Sequence, residues 1–477
     1  MGFNVEANNQ LSAGAGKLGF FDVFRRALRG EEVDVTSVPL KRAIAFLAIP
    51  MIAEMCMESL FVVTDIFWVA SLGANAVAVV GITESIIVLL EAIGVGVGMA
   101  VTAMIARRIG EKRPEDAAYI AGQALWVGGL VAITFGVLGA FYATDILALM
   151  GAAPDVIAQG AGFTRILLGG SVTLMYLFLL SAAFRGAGEP AIAMRALWLG
   201  NGLNIVLDPL LIFGVGPFPE FGVEGAAIAS VIGRGTGALY LMYRLFAQTP
   251  RLPMSIAALK LHGPTLKRLL EVSAGGVAQF IIGMASWIVL MRLMASYGSE
   301  AVAGYTIAIR VIVFCLLPAW GMANAAATLV GQNLGAEKPE RAERAVWLTV
   351  KYNVWFMGVL AVIFGFGAPV IVSVFTAEPA VSDYAVMCLR ILAGGYVIYA
   401  IGMIVVQAFN GAGDTRTPTW LNALCFWVFQ LPFAYWLAEP LGLGPTGVFI
   451  AMIVTQLLLT IGAVVLFRRG RWKEVTV

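Results

Sequence analysis

Long apolar runs broken by short polar stretches make up most of the sequence. Apolar segments fall near residues 43–71, 77–105, 117–144, 156–183, 191–213, 223–249, 272–297, 301–330, 345–374, 383–408, 418–438 and 445–467. A helix needs about 20 apolar residues to cross a hydrocarbon core roughly 30 Å thick. The pattern therefore predicts an all-α integral membrane fold with twelve transmembrane helices. Several runs exceed that length, which predicts tilt or extension past the membrane. Ahead of the first run, residues 1–17 are polar and contain no apolar core of a signal peptide. Residues 18–30, LGFFDVFRRALRG, set Leu18, Phe20, Phe21, Val23 and Phe24 beside Arg25, Arg26 and Arg29. That mixture predicts a short helix lying on the cytoplasmic leaflet, with a disordered basic leader as the alternative.

Charge in the loops orients the spans. Even-numbered loops carry RRIGEKRPED (107–116), FRGAGEP (184–190), Lys260, Lys267 and Arg268, QNLGAEKPERAER (332–344) and GAGDTR (411–416). Odd-numbered loops contain no Lys or Arg and hold acids such as Asp145, Glu220, Glu300, Glu378 and Glu439. Positive charge favours the cytoplasmic side, so the chain is expected in the cell membrane with both termini cytoplasmic.

Shifted by 225 residues, the sequence matches itself. SLGANAVAVVGI (71–82) meets SYGSEAVAGYTI (296–307), GEKRPEDA (110–117) meets GAEKPERA (335–342), RILLGG (165–170) meets RILAGG (390–395), and FRGAG (184–188) meets FNGAG (409–413). At a shift of 222, GVEGAAIA (222–229) meets GPTGVFIA (444–451). Each half holds six spans, an even number, so the repeats are parallel and related by an axis along the membrane normal. The expected layout is a leader (1–40), a first lobe (41–249), an inter-lobe loop (250–271), a second lobe (272–467) and a tail (468–477). Two six-helix lobes flanking a central cavity are the architecture of an alternating-access transporter.

Composition narrows the chemistry. Only 13% of residues are charged, about half the usual share, and the net charge is +2, so nucleic acid is not an expected partner. Cys56, Cys315, Cys388 and Cys425 lie singly in apolar segments, and His262 is the one histidine, in a basic loop. No metal cluster, histidine triad or cofactor is expected. The GxGxG of GVGVGMA (94–100) lies inside a span without strand context, so it reads as close helix packing and not as a nucleotide loop.

The repeat acts as an internal control on buried charge. Under the shift, Glu54 meets Gln279, Glu58 meets Gly283, Asp65 meets Leu290, Glu84 meets Ile309, Glu91 meets Leu316, and Asp208 falls near Leu431. Folding of the second lobe proceeds without these acids, so the ion chemistry is expected in the first. Around the first helix, Glu54, Glu58 and Asp65 lie at about 0°, 40° and 20°, one stripe that must face protein or water. An acid at the centre of a span costs about 2.5–3.5 kcal/mol even on the lenient insertion scale. Hydrogen-bonded acids that merely stabilise packing are the alternative reading. Asp208 follows Asn204 by one turn and precedes Pro209, which cannot donate to the helix ladder. With a hydroxyl such as Ser230, these oxygens could hold sodium. Equally, two carboxylates in a low-dielectric pocket repel, and a proton on one relieves the repulsion.

With Asp65 ahead of WVASLGANAVAVVGI, and with NIVLDP, GAAIAS, FRGAGEP and QAFNGAGDTRTP, the chain resembles the MATE multidrug exporters of the MOP superfamily over residues 40–467. The first-lobe acids put it nearest the DinF-type and archaeal branch. The resemblance implies antiport of a substrate against H+ or Na+. It also implies an ion site of Asp65, Asn204, Asp208 and Ser230, with serine where threonine is usual, and a hinge at Pro50. Gln279 stands where the other branch has a second-lobe acid. Glu54 and Glu58 are additions, expected to attract cationic, amphipathic substrates. Met51, Phe61, Trp68 and Trp198 are candidates for a soft, aromatic substrate wall, although packing is the commoner role for each. FRGAGEP and FNGAGDTRTP read as tight turns, with Pro190 and Pro418 opening the next helices and Arg185 and Arg416 marking the inner face. Arg165 and Arg390 recur in both halves, which points to a shared structural role. The alternative function is a flippase for lipids or lipid-linked precursors, for which fourteen spans and a cationic cavity would be usual. An enzyme would need a catalytic cluster, and a channel gives no reason for one-lobe acids. The expected partners are small amphipathic molecules and the bilayer, and no feature demands more than a monomer.

Overall fold

The computed structural model describes residues 20–247 and 249–477. Its helices are α1 (Phe20–Arg29), α2 (Leu40–Ala70), α3 (Ala74–Gly110), α4 (Pro114–Leu149), α5 (Pro154–Gly169), α6 (Ser171–Ala187), α7 (Pro190–Phe213) and α8 (Val223–Phe246). The second half continues with α9 (Gly263–Ala295), α10 (Ser299–Gly335), α11 (Pro339–Ser373), α12 (Pro379–Ala393), α13 (Tyr396–Ala412), α14 (Arg416–Asn422), a π-helical stretch (Ala423–Gln430), α15 (Leu431–Ala438) and α16 (Pro445–Arg468). Proline opens α4, α5, α7, α11, α12 and α16. Its fixed φ suits the first turn, where its missing N–H has no partner to lose.

Among the described residues, ten spans are long and apolar enough to cross a membrane, and the bent pair α12–α13 makes an eleventh. The twelfth element, α8, has 24 residues and thus a length of about 36 Å. It carries Glu224, Arg234 and Arg244 and is too polar to pass the same test. The fourth span, interrupted only at Gly170 between α5 and α6, still runs as one span over Pro154–Ala187 as expected, whereas the tenth is broken, α12 meeting α13 at 59°. The expected loop 250–271 is shorter than read, because α9 already begins at Gly263. The loop is pinned rather than loose: Gln123 Nε2 donates to the Lys260 carbonyl at 2.9 Å, and Trp126 Nε1 donates to the Leu259 carbonyl at 2.8 Å. The C-terminal stretch is likewise docked, with Trp472 buried and stacked on Phe467 at 4.6 Å.

Two apolar clusters form two bundles. One gathers Leu90, Ile105, Leu180, Phe184 and Leu241 from α3, α6 and α8. The other gathers Tyr305, Met357, Phe364, Phe409 and Phe449 from the second half. Helix α2 serves both: Ala43, Ile44, Leu47, Ala48 and Met51 join the second cluster, while Val69 joins the first. Pro50 lies within α2 close to that changeover.

Lipid offers no hydrophobic gain for joining helices, so the seam between the bundles relies on backbone approach. A Cβ on Gly96 would stand 2.3 Å from the Val277 nitrogen, and one on Gly110 would stand 2.1 Å from the Gln332 carbonyl oxygen. Gln332 Nε2 donates to the Gly186 carbonyl at 2.9 Å, and Thr328 Oγ1 donates to the Arg185 carbonyl at 3.1 Å. These contacts close the seam at the face that carries the basic loops. Ser59 Oγ, donating to the Phe314 carbonyl at 3.4 Å, is the last hydrogen bond between α2 and α10 on the way to the opposite face, among the described residues.

Candidate ion and substrate site

The polar residues of α2, α3, α7 and α8 converge inside the first bundle. The predicted stripe on α2 meets three different environments. Glu54 is buried, and its Oε1 accepts from Arg185 Nη1 at 2.6 Å. Glu58 Oε2 accepts from Asn201 Nδ2 at 2.9 Å. Asp65 is half-buried and lies within electrostatic reach of both Asp208 and Arg234.

Asp208 is completely buried, and neither of its carboxylate oxygens has a hydrogen-bond partner. One turn earlier, Asn204 donates from Nδ2 to Ser230 Oγ at 3.2 Å, which leaves its buried Oδ1 without a donor. Three acceptor atoms thus lie together with nothing to accept from. Buried polar atoms are nearly always paired, so three orphaned acceptors on successive turns of α7 are exceptional. The structure brings Asp65, Asn204, Asp208 and Ser230 into one region. Among the described residues, no group of three or more His, Cys, Asp or Glu has the arrangement of a resident metal site.

A cavity of about 580 Å³ lies between the bundles. Glu54, Glu58, Glu91, Arg185 and Arg234 line its first-bundle side, and Asn324, Gln407 and Asn410 line the other. Asp65 and Asp208 lie outside this lining, and Arg234 links the two compartments. Its guanidinium sits 5.9 Å above the Phe61 ring and within electrostatic reach of Asp65, Glu84 and Glu91. A cation in a desolvated site gains from both the ring face and the surrounding acids.

Several expectations need correction. The cavity is not simply acidic, because Arg185 and Arg234 stand among its three acids. Arg185 lies in the last turn of α6, at the end that carries the basic loops, but its side chain is not a surface charge: it reaches Glu54. Met51 is no substrate wall, since it is buried against Gly321 of α10 and packs in the second cluster. Trp198 is 50% exposed, outside the cavity lining, and its Nε1 donates to the Ala53 carbonyl at 3.0 Å. Trp68 packs edge-on against Phe213 at 6.0 Å, also outside the lining. Phe61 is also outside the cavity lining, and its ring lies under the Arg234 guanidinium.

Sequence reasoning gives Arg185 no role in the site and does not single out Arg234. The same shifts set Arg185 against Asn410 and Arg234 against Gln456, so both bases are as one-sided as the acids. The partners also correspond. Where the first bundle pairs Glu54 with Arg185, the second pairs Gln279 with Asn410, through Nε2 to Oδ1 at 3.1 Å and Nδ2 to Oε1 at 3.3 Å. One geometry is built twice, once with charges and once with amides.

Comparison with known proteins agrees with this architecture. Over 95% of its length the chain is 25% identical to a probable multidrug resistance protein, NorM, of Thermotoga maritima, covering 97% of that protein. It is 24% identical to an FAD transporter of Shewanella oneidensis, over 91% of the chain and 95% of the relative. Its fold superposes on the outward-facing conformation of a multidrug resistance MATE family transporter of the MOP superfamily with a TM-score of 0.87, at 26% identity, covering 93% and 99% of the two chains. The MatE profile matches residues 50–210 and again residues 276–436, one match in each half. The duplicated bundles, the polar cavity between them and these matches together establish that the chain belongs to the MatE family of membrane transporters.

Proposed function

We propose that the protein is an antiporter that exports amphipathic, cationic drugs or metabolites in exchange for H+ or Na+, by alternating access between its two bundles. The observation that carries this reading is Asp208, fully buried with two unpartnered oxygens beside the unpartnered Oδ1 of Asn204. A carboxylate left in that state is costly, and the cost is relieved each time a cation or a proton arrives. Asp65 adds a second negative charge nearby, and Ser230 adds a hydroxyl.

Arg234 supplies a physical link between ion and substrate. With Asp65 ionised, the guanidinium is shared between that carboxylate and the cavity acids. A cation taken up at Asp65 and Asp208 cancels the competing charge, so Arg234 turns its attraction to Glu91 in the cavity. That acid is then screened, and a cationic substrate loses a counter-charge and leaves. Pro50 is the proposed hinge, since its ring cannot donate to the carbonyl one turn before it. The basic face, closed at the glycine seam, is read as cytoplasmic. MATE relatives named for multidrug resistance support the substrate class.

Purified protein in proteoliposomes tests the reading, with the movement of ethidium followed by fluorescence under separately imposed proton and sodium gradients. Ethidium movement driven by one gradient is expected, and no movement under either gradient would sink the proposal. Within the cavity, Glu58→Gln is expected to weaken the apparent affinity for ethidium about tenfold, the worth of about 1.4 kcal/mol. Transport of an uncharged substrate should be unaffected. Equal losses for both compounds would remove Glu58 from cation recognition.

A further inference from the structure

We infer that the second bundle holds its own binding pocket, built for an uncharged, planar aromatic molecule. A cavity of about 250 Å³ lies between α9, α10, α13, the π-helical stretch and α16. Trp287, Tyr396, Tyr399, Phe426, Gln430 and Gln456 give it its character. It contains no Asp, Glu, Lys, Arg or His among its described lining residues.

Its position within the repeat is what distinguishes it from a packing defect. The 225 shift sends Asp65 to Leu290, Glu84 to Ile309 and Glu91 to Leu316, and the 222 shift sends Ser230 to Met452 and Arg234 to Gln456. All five of these second-half residues line the pocket. The second half therefore opens a pocket at the positions equivalent to the ionic site and carries apolar or amide side chains where the first half carries charges.

The chemistry of the lining names the ligand class. A cation placed there would lose its water without meeting a counter-charge, which is costly. Indole and phenol faces suit a flat ring, and cavities of about 150 Å³ already bind benzene, so this space has room for a fused bicycle. Two donors on this wall lack a hydrogen-bond partner, the Tyr396 hydroxyl and the Trp287 Nε1. Gln430 accepts from Ser286 at 3.0 Å, which fixes its carboxamide on the pocket wall. It is supplied by the π-helical stretch, a distortion often found at functional sites. The ligand should thus be neutral, bicyclic and equipped with a carbonyl acceptor.

Gly283 lines the pocket, and a Cβ there would meet nothing within 4 Å, so a leucine side chain starts from open space and takes up pocket volume. The test is saturable binding of 7-methoxycoumarin to the full chain in nanodiscs, read by fluorescence with no ion gradient present. Saturable binding is expected in the parent, at least tenfold weaker in Gly283→Leu and roughly fivefold weaker in Tyr396→Phe, which loses one hydrogen bond. Asp208→Asn should bind the probe as the parent does, so failure of the antiport reading and failure of this one give different results. Binding unchanged in Gly283→Leu, or uptake that only scales with lipid, overturns the inference. Displacement by oleate but not by unlabelled coumarin would assign the space to an acyl chain and would also overturn it.

Discussion

Asp208→Asn reduces gradient-driven efflux to the level of protein-free vesicles, while the protein still inserts and folds. The two side chains are nearly isosteric, so the packing of α7 against α8 is preserved. What changes is the charge. The parent carboxylate is fully buried with no donor on either oxygen, and the amide replaces it with a neutral group that neither binds a proton nor anchors a cation. Thermal unfolding in detergent should occur no lower than in the parent, because an unpaired buried charge is removed and no hydrogen bond is lost. Parent-like efflux from this variant would end the assignment of the coupling site. A collapse of the melting temperature would instead make Asp208 a structural acid.

Arg185→Asn is expected to destabilise the protein by about 3–5 kcal/mol, the usual cost of stripping one partner from a buried ion pair. Glu54 is 2% exposed and its second oxygen already lacks a partner, so the variant leaves a full charge with nothing to answer it. The second bundle supplies the remedy. Adding Glu54→Gln to Arg185→Asn reproduces in the first bundle the Gln279–Asn410 pair of the second, whose two amides satisfy each other at 3.1 and 3.3 Å. The double variant should recover most of the lost stability, as read by unfolding in detergent. If the double variant is no more stable than the single one, the two pairs are not interchangeable and the correspondence between them is superficial.

Much of this arrangement was legible in the sequence, and the failures have physical causes. Apolar runs located the spans because lipid demands satisfied backbone and greasy side chains, whatever the packing. The shared RILLGG and RILAGG motifs were read as a repeat, yet their glycine pairs also mark where α5 gives way to α6 and where the tenth span bends between α12 and α13. Helical periodicity put Glu54, Glu58 and Asp65 on one stripe but could not say that the first would meet Arg185 and the second Asn201. Those partners come from other helices, and no local rule reaches them. Met51 and Trp198 failed for a related reason: a soft or aromatic side chain on a helix says nothing about which neighbour covers it. The π-helical stretch at Ala423–Gln430 had no sequence signal, since its residues are ordinary helix formers or aromatics.

The glycine seam has a mechanical consequence. Where Gly96 meets Val277 and Gly110 meets Gln332, backbone lies directly against backbone, with no glycine side chain to interlock. Parting such surfaces needs little repacking of rotamers, so resistance to motion stays low and smooth along the whole track. Such a joint would run like a plain bearing, with the side-chain donors of Gln332 and Thr328 at its basic end as the catch.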